Sequence, residues 1–178
     1  IGAHPAESDH AQLDRWLHRV VHRVVHRSSL PRTNYGRAVN DDQVDQREVR
    51  SEIESCFDSH ASLAAHLRSL TWVDPKQPTG LSGWTVGHVL THIARNADGV
   101  VSMLDGFVQY PHGAKGRNCD IESGSSRSWA ELIDDVTATS AMLDIRLADA
   151  DLDWSGTVTM LPGVRPKASL PLMRQREV

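Results

Sequence analysis

Residues 85–108 read TVGHVLTHIARNADGVVSMLDGFV, and this stretch decides the fold class. Its apolar residues recur at intervals of three and four, which is the period of an α-helix with one buried face. Thr85 is of a residue type that favours the position just before the first turn of a helix. Glycines weaken the stretch but do not end it. The pattern therefore predicts a long helix with a buried stripe of Val86, Val89, Leu90, Ile93, Ala97, Val100, Val101 and Leu104.

Two further segments of similar length, one on each side of this helix, show the same period. The first starts near Gln46 and contains no internal proline or glycine. The second opens at Ser128, whose spacing to Glu131 matches a capping box. Pro171 is placed as the first-turn proline of a fourth helix, which the end of the sequence cuts off within about two turns. We expect helices over residues 46–71, 85–108, 128–151 and from 170 onward.

The segments between these helices have the composition of loops. Residues 74–80 and 110–126 are rich in proline, glycine, serine and asparagine, whereas residues 154–160 alternate and are expected to be extended. No alternation of strands with helices occurs, and the sequence contains neither a Walker A loop nor GxGxxG. The fold class predicted is all-α, an up-and-down four-helix bundle whose fourth helix is truncated. A central β-sheet would contradict this prediction.

Composition and charge restrict the function. The 178 residues carry a formal net charge of −4, and 39% of them are hydrophobic, as in one soluble domain with an appendage. The negative charge disfavours nucleic acid as a partner, and no apolar run reaches the ~20 residues of a membrane-spanning helix. The cysteines, Cys56 and Cys119, are too few for a disulfide framework or a cysteine-rich zinc site. No secretory signal is recognisable, so the expected location is cytoplasmic. The oligomeric state stays open.

Residues 1–45 differ from the rest of the chain. Leucines and valines between Leu13 and Val25 fall at helical spacing, with repeated His-Arg pairs between them, and residues 28–45 are polar like a linker. We expect an extra N-terminal segment, helical or disordered. A membrane-surface or nucleic-acid role, or an origin outside the natural protein, are the alternatives. The predicted domains are 1–45, an appendage and linker, and 46–178, the bundle. We expect the chain to be incomplete at both ends.

Two histidines four residues apart, His88 and His92, are neighbours on the second helix. A zinc peptidase would need a glutamate directly after the first histidine, and Val89 stands there instead. The helical phase places His88 opposite the buried stripe, so it is expected to face outward. His92 lies at the flank of the stripe, facing the bundle interior or a cleft at its edge. From position alone, His92 is a hydrogen-bonded boundary residue or, alternatively, a metal ligand.

The remaining candidates have simpler interpretations. His60 lies near the apolar face of the first helix and is expected to be a hydrogen-bonded core or boundary residue, whereas His66 and His112 are expected to be solvated. Cys56 is expected to be a small core residue, and Cys119 to lie in a loop without a basic partner that would activate its thiol. Trp84 precedes the helix cap and is expected to be buried against the first turn of the helix.

Residues 81–98, LSGWTVGHVLTHIARNAD, resemble the mycothiol-dependent maleylpyruvate isomerase family, which belongs to the DinB-like metal-binding four-helix bundles. The family pattern is a Gly-Trp pair followed by a helix with two histidines and Ala-Arg-Asn-Ala-Asp. Residues 173–178, MRQREV, resemble the start of the fourth-helix motif of the family. The resemblance covers about residues 46–178 and implies a DinB-like bundle for them.

The resemblance also implies a metal site. In the family a divalent metal, typically zinc, is held by two histidines and a glutamate. His92 matches the first histidine and Glu177 matches the glutamate. The remaining histidine would stand three residues beyond Val178, and the smaller C-terminal domain of the family would follow it. The expected metal ligands in this sequence are therefore His92 and Glu177, and no catalytic residue is assigned.

Zinc with three protein ligands keeps an open position, where a thiol loses its proton. For the family, the resemblance implies that the thiolate of mycothiol adds to the cis double bond of maleylpyruvate, the new single bond rotates, and the thiol leaves to give the trans isomer. Relatives transfer thiols to other electrophiles, and the bundle alone does not distinguish these outcomes. The expected function is a mycothiol-dependent isomerase or thiol transferase acting on a small electrophile. The alternative is a non-catalytic, truncated helical bundle with a degenerate metal site.

Overall fold

The computed structural model describes Arg15, residues 44–161 and residues 163–178. Apart from Arg15, the predicted N-terminal helix lies outside the described residues, as does nearly all of the linker. In chain order the elements are α1 (Gln46–Ser69), α2 (Val86–Leu104), α3 (Gly113–Gly124), α4 (Trp129–Leu147), β1 (Thr157–Met160), β2 (Gly163–Pro166), a 3-10 turn (Lys167–Ser169) and α5 (Leu170–Gln175).

The long helices begin where a side chain caps their first turn. Asp45 accepts hydrogen bonds from two backbone N–H groups at the start of α1. Ser128 and Glu131 form the predicted capping box of α4, in which the backbone N–H of Ser128 donates to Glu131 Oε2 at 2.8 Å. Thr85 precedes α2, and its backbone N–H donates to Nδ1 of His88 at 3.2 Å, so a histidine takes the place of the usual acid.

The helices form a ring around the core. Both α1 and α2 pack against α4 and α5, so α4 and α5 lie between α1 and α2. The interior contains two apolar clusters. The first includes Leu67, Leu90 and Leu132, and the second includes Met103 and Leu143. On α2 the first cluster ends just after His92 and the second begins about one turn farther on, so this histidine lies near the boundary between them.

The all-α bundle predicted from the sequence is confirmed, and its last helix is short, ending at Gln175. The only sheet among the described residues is the antiparallel hairpin of β1 and β2, in which Thr157 pairs with Pro166 and Met160 with Gly163. The expected extended segment is thus confirmed over residues 157–160. None of the helices in the described ranges is both long and apolar enough to cross a membrane.

One prediction was wrong: residues 113–124 form the helix α3, where the sequence predicted a loop over 110–126. The segment has no apolar stripe, and Ile121 is its only buried residue. It packs against α2, and Gly124 lets the two backbones approach because a methyl group there would meet the side chain of Thr91. Contacts with the bundle, rather than intrinsic propensity, therefore hold this helix.

Candidate metal centre

Two predicted site residues meet inside the bundle. His92 on α2 and Glu177 just after α5 are each only 5% exposed. His92 Nε2 lies 3.2 Å from Glu177 Oε2, although the residues are 85 positions apart in the chain. The proximity predicted from the sequence is confirmed. Their role as metal ligands is a separate matter and stays a prediction.

The spacing of these two atoms fits either a hydrogen bond or a shared metal. Bonds of about 2.0–2.1 Å to a tetrahedral zinc ion place neighbouring ligand atoms about 3.3 Å apart. The observed 3.2 Å matches that edge. Within the described residues, however, no group of three histidine, cysteine, aspartate or glutamate side chains could hold a metal ion. The described part of the chain therefore supplies two converging donors of suitable chemistry and no third.

Arg174 holds the segment that carries Glu177. Its side chain is 1% exposed, and the backbone N–H of Glu177 donates to its carbonyl oxygen at 2.9 Å. Each nitrogen of its guanidinium group donates to the bundle. The acceptors are His60 Nε2 at 2.9 Å, the Ile93 carbonyl at 2.8 Å, Asn96 Oδ1 at 3.0 Å and Ser140 Oγ at 3.3 Å. The guanidinium group thereby ties the short α5 to α1, α2 and α4.

Both ring nitrogens of His60 have hydrogen-bond partners. A guanidinium group can only donate, so the Nε2 atom that faces Arg174 is the acceptor and Nδ1 carries the proton. Nδ1 donates to Asp144 Oδ1 at 2.6 Å. The prediction of a hydrogen-bonded core histidine is confirmed. Burial lowers the pKa of Arg174 to about 10, and the carboxylates of Glu177 and Asp144 oppose that shift. Arg174 therefore stays charged at neutral pH.

His88 takes no part in the contact between His92 and Glu177. Its Nδ1 atom lies 2.8 Å from the hydroxyl of Thr85, and its Nε2 atom lies 3.1 Å from Glu122 Oε2 on α3. The prediction that His88 faces outward was only partly right, because α3 covers it and leaves 14% of its side chain exposed. The sequence could not show this cover, because the covering helix has only one buried residue, Ile121, and therefore no apolar stripe.

The structure also tests the expectations for five other residues. His112 is exposed as predicted, whereas His66 is half-buried rather than solvated. Trp84 is half-buried against the first apolar cluster, and its ring lies edge-on to His92 with centroids 5.6 Å apart. Cys56 is a buried core residue as predicted, and Cys119 is exposed on α3 rather than in a loop.

Arg117 is a site residue that sequence reasoning missed. It lies on α3, and its Nη2 atom is 3.0 Å from His92 Nδ1. Burial raises the pKa of the neighbouring Tyr110, and the charge of Arg117 partly lowers it again. No spacing in the sequence relates residue 117 to residue 92, because only the docking of α3 brings them together.

A cleft of about 600 Å³ lies between α2 and α3, and neither His92 nor Glu177 is among its lining residues. Arg95, Asp98, Tyr110 and Arg127 are among its lining residues. Both arginines donate to Asp135, at 2.7 and 2.6 Å, so their charges are shared with a carboxylate. Burial raises the pKa of Asp98, and the nearby Arg95 partly offsets that rise. The cleft has the size of a small-molecule site.

Residues 56–178 match the family model described as the mycothiol maleylpyruvate isomerase N-terminal domain, which is well over half of the chain. The chain belongs to this family. The resemblance to mycothiol-dependent maleylpyruvate isomerases seen in the sequence is thereby confirmed. No curated protein gives a significant match.

Two solved structures are similar to this member of the mycothiol maleylpyruvate isomerase N-terminal domain family. One is the crystal structure of the mycothiol-dependent maleylpyruvate isomerase, with 22% identity and a TM-score of 0.63 over 72% of this chain. The other is a histidine-to-alanine mutant of the mycothiol-dependent maleylpyruvate isomerase, with 22% identity and a TM-score of 0.65 over 73% of this chain. The chain spans 57% of the length of each. At this identity the likeness shows the fold.

Proposed function

We propose that this chain is the metal-binding part of a mycothiol-dependent isomerase or thiol transferase of the maleylpyruvate isomerase type. The observation that carries the proposal is the meeting of His92 Nε2 and Glu177 Oε2, which lie 3.2 Å apart and are buried inside the bundle. Membership of the family supports the use of mycothiol and of a small electrophile as substrate.

His92 and Glu177 would hold a divalent metal, which we propose to be zinc, together with a ligand from outside the described residues. When bound, the metal would supply the positive charge that lets a thiol lose its proton at neutral pH. The residues of this chain position the two donors. Arg174 fixes the segment of Glu177, while the edge of Trp84 packs on the His92 ring and restricts its rotation.

The cysteines of the chain support a thiol brought by a cofactor. Burial raises the pKa of the Cys56 thiol to about 12, so it stays protonated at neutral pH and is a poor nucleophile. Cys119 is exposed on α3, whereas His92 and Glu177 are buried inside the bundle. A nucleophilic thiol at His92 would therefore come from a bound molecule such as mycothiol.

One observation favours a second candidate, a non-catalytic bundle with a degenerate metal site. Only two donors converge among the described residues, and their spacing equally suits a plain hydrogen bond.

We further propose the division into an appendage over 1–45 and a bundle domain over 46–178, and a cytoplasmic location for the protein.

The experiment that tests the proposed function compares three variants of the complete gene product. His92→Ala and Glu177→Ala should abolish mycothiol-dependent conversion of maleylpyruvate to its trans isomer and should lower the zinc content severely. His88→Ala is the matched control on the same helix and should keep its zinc, because His88 contacts Thr85 and Glu122 instead. Absorbance of the product and metal analysis are the measurements. About one equivalent of zinc in both the wild type and His92→Ala would overturn the assignment.

A further inference from the structure

Each of the two ring nitrogens of His92 contacts a side chain, one that of Arg117 and the other that of Glu177. The Nη2 atom of Arg117 lies 3.0 Å from Nδ1, and Oε2 of Glu177 lies 3.2 Å from Nε2. A guanidinium group has N–H donors and no acceptor. Nδ1 must therefore accept the hydrogen bond, and in the neutral ring the proton is on Nε2, where it is donated to Glu177.

This arrangement conflicts with metal binding through Nε2. A metal ion binds the lone pair of a ring nitrogen, so Nε2 must give up its proton and Nδ1 must carry it. A histidine that ligates in this way normally donates from the other nitrogen to a carbonyl, a carboxylate or water. Arg117 is the opposite kind of partner, because its N–H groups would point at the N–H of Nδ1.

We propose that Arg117 is a positioning residue that competes with the metal for His92, so that metal enters through Nε2 only when Arg117 withdraws from Nδ1. This inference rests on the proposed function, because it takes Nε2 as the ligating atom. During the exchange, the ring proton moves from Nε2 to Nδ1 through solvent and the ring stays neutral. The guanidinium group thus holds the metal-free site in a closed, hydrogen-bonded form.

The position of Arg117 permits this withdrawal. It is half-buried on α3, a helix in which Ile121 is the only buried residue, so the side chain has solvent on one side. Asn118 already accepts a hydrogen bond from it, with Oδ1 3.0 Å from Nη1, and can retain the guanidinium group after it leaves His92. Arg174, by contrast, is enclosed and has no such freedom.

The first test measures which nitrogen of His92 carries the proton in the metal-free protein. Long-range ¹H–¹⁵N NMR of the chelator-treated chain should show the proton on Nε2 in the wild type. In Arg117→Gln the proton should move partly or wholly to Nδ1, because the shorter side chain takes the guanidinium donor away from that atom. A proton on Nδ1 in the wild type, or an unchanged spectrum of His92 in the variant, would overturn the inference. This readout needs neither metal nor activity.

The second test measures zinc affinity by competition with a chelator, taking the binding that is lost in His92→Ala as the signal. Arg117→Gln should bind zinc about tenfold more tightly or better, the size of effect typical of groups behind a metal ligand. Lys115→Gln is the matched control, since it removes one positive charge from the exposed face of the same helix without a contact to His92. It should change the affinity less than about threefold, because an exposed charge is well screened.

The possible outcomes separate this inference from the proposed function. Equal gains in Arg117→Gln and Lys115→Gln would show a general charge effect and overturn the competition. Unchanged or weaker zinc binding in Arg117→Gln would also overturn it. If zinc binding were the same in the wild type and His92→Ala, the proposed function would fail instead, while the NMR test would still decide whether Arg117 sets the tautomer.

Discussion

Arg174 shows how one buried side chain can fix the segment that carries a site residue. It is the largest of the fully buried side chains in the described part of the protein, and its donors end on α1, α2 and α4. A buried charge is stabilised only when its hydrogen bonds are complete. Four acceptors take hydrogen bonds from Arg174, which has five N–H groups in its guanidinium. Glu177 is therefore held next to His92 by a side chain that is more deeply buried than either residue.

Arg174→Met should lower the free energy of unfolding by about 3–5 kcal/mol, because the buried acceptors lose their donor. Urea denaturation followed by circular dichroism measures this change. Arg165→Met on the exposed hairpin is the control and should change it by less than about 0.5 kcal/mol. A loss of similar size in both variants would show that the Arg174 network does not hold α5.

At the scale of single residues, the sequence predicted the positions of some site residues and not of others. The helical phase of His92 and the family motif around Glu177 predicted that these two residues lie close together, as they do. The apolar neighbours of His60 predicted its burial. Arg117 could not be predicted, because its contact with His92 joins α2 to a helix without an apolar stripe. A polar contact of this kind has no periodic signal in the chain.

At the scale of elements, the packing of α3 against α2 depends on a glycine of α2. Gly87 weakened the helix prediction as a poor helix former. Its role in the structure is different, since a methyl group there would collide with the backbone carbonyl of Ser125 and lie 3.2 Å from the carbonyl oxygen of Pro75. The start of α2, the end of α3 and the preceding loop therefore meet at a position where only glycine fits.

Gly87→Ala should destabilise the protein by about 1–3 kcal/mol, because rigid backbone atoms rather than a mobile side chain occupy the space. Thermal unfolding measures the loss. Ser123→Ala on the exposed side of α3 is the control and should have little effect on stability. Stabilisation by Gly87→Ala, as expected for an ordinary helix interior, would contradict the close approach.

At the scale of the whole molecule, the number and order of the main helices could be predicted, whereas their arrangement in the ring could not. Each long helix has an apolar stripe of its own. Such a stripe predicts that one face of the helix is buried, but not which other helix packs against that face. The separation of α1 from α2 by α4 and α5 follows from side-chain packing over long stretches of the chain. That arrangement brings α5 against α2 and so creates the meeting of Glu177 with His92.

A metal bound between α2 and α5 should therefore stabilise the whole bundle, because a ligand that binds only the folded state raises its stability. In the complete gene product, zinc at about 100 times its dissociation constant should add about 2.7 kcal/mol, which differential scanning calorimetry detects as a Tm higher by several degrees. The stabilisation should vanish in His92→Ala and persist in His88→Ala, because only the first residue joins the two helices. An equal rise in both variants would place the zinc elsewhere, and the contact between His92 and Glu177 would then be a structural hydrogen bond inside the bundle.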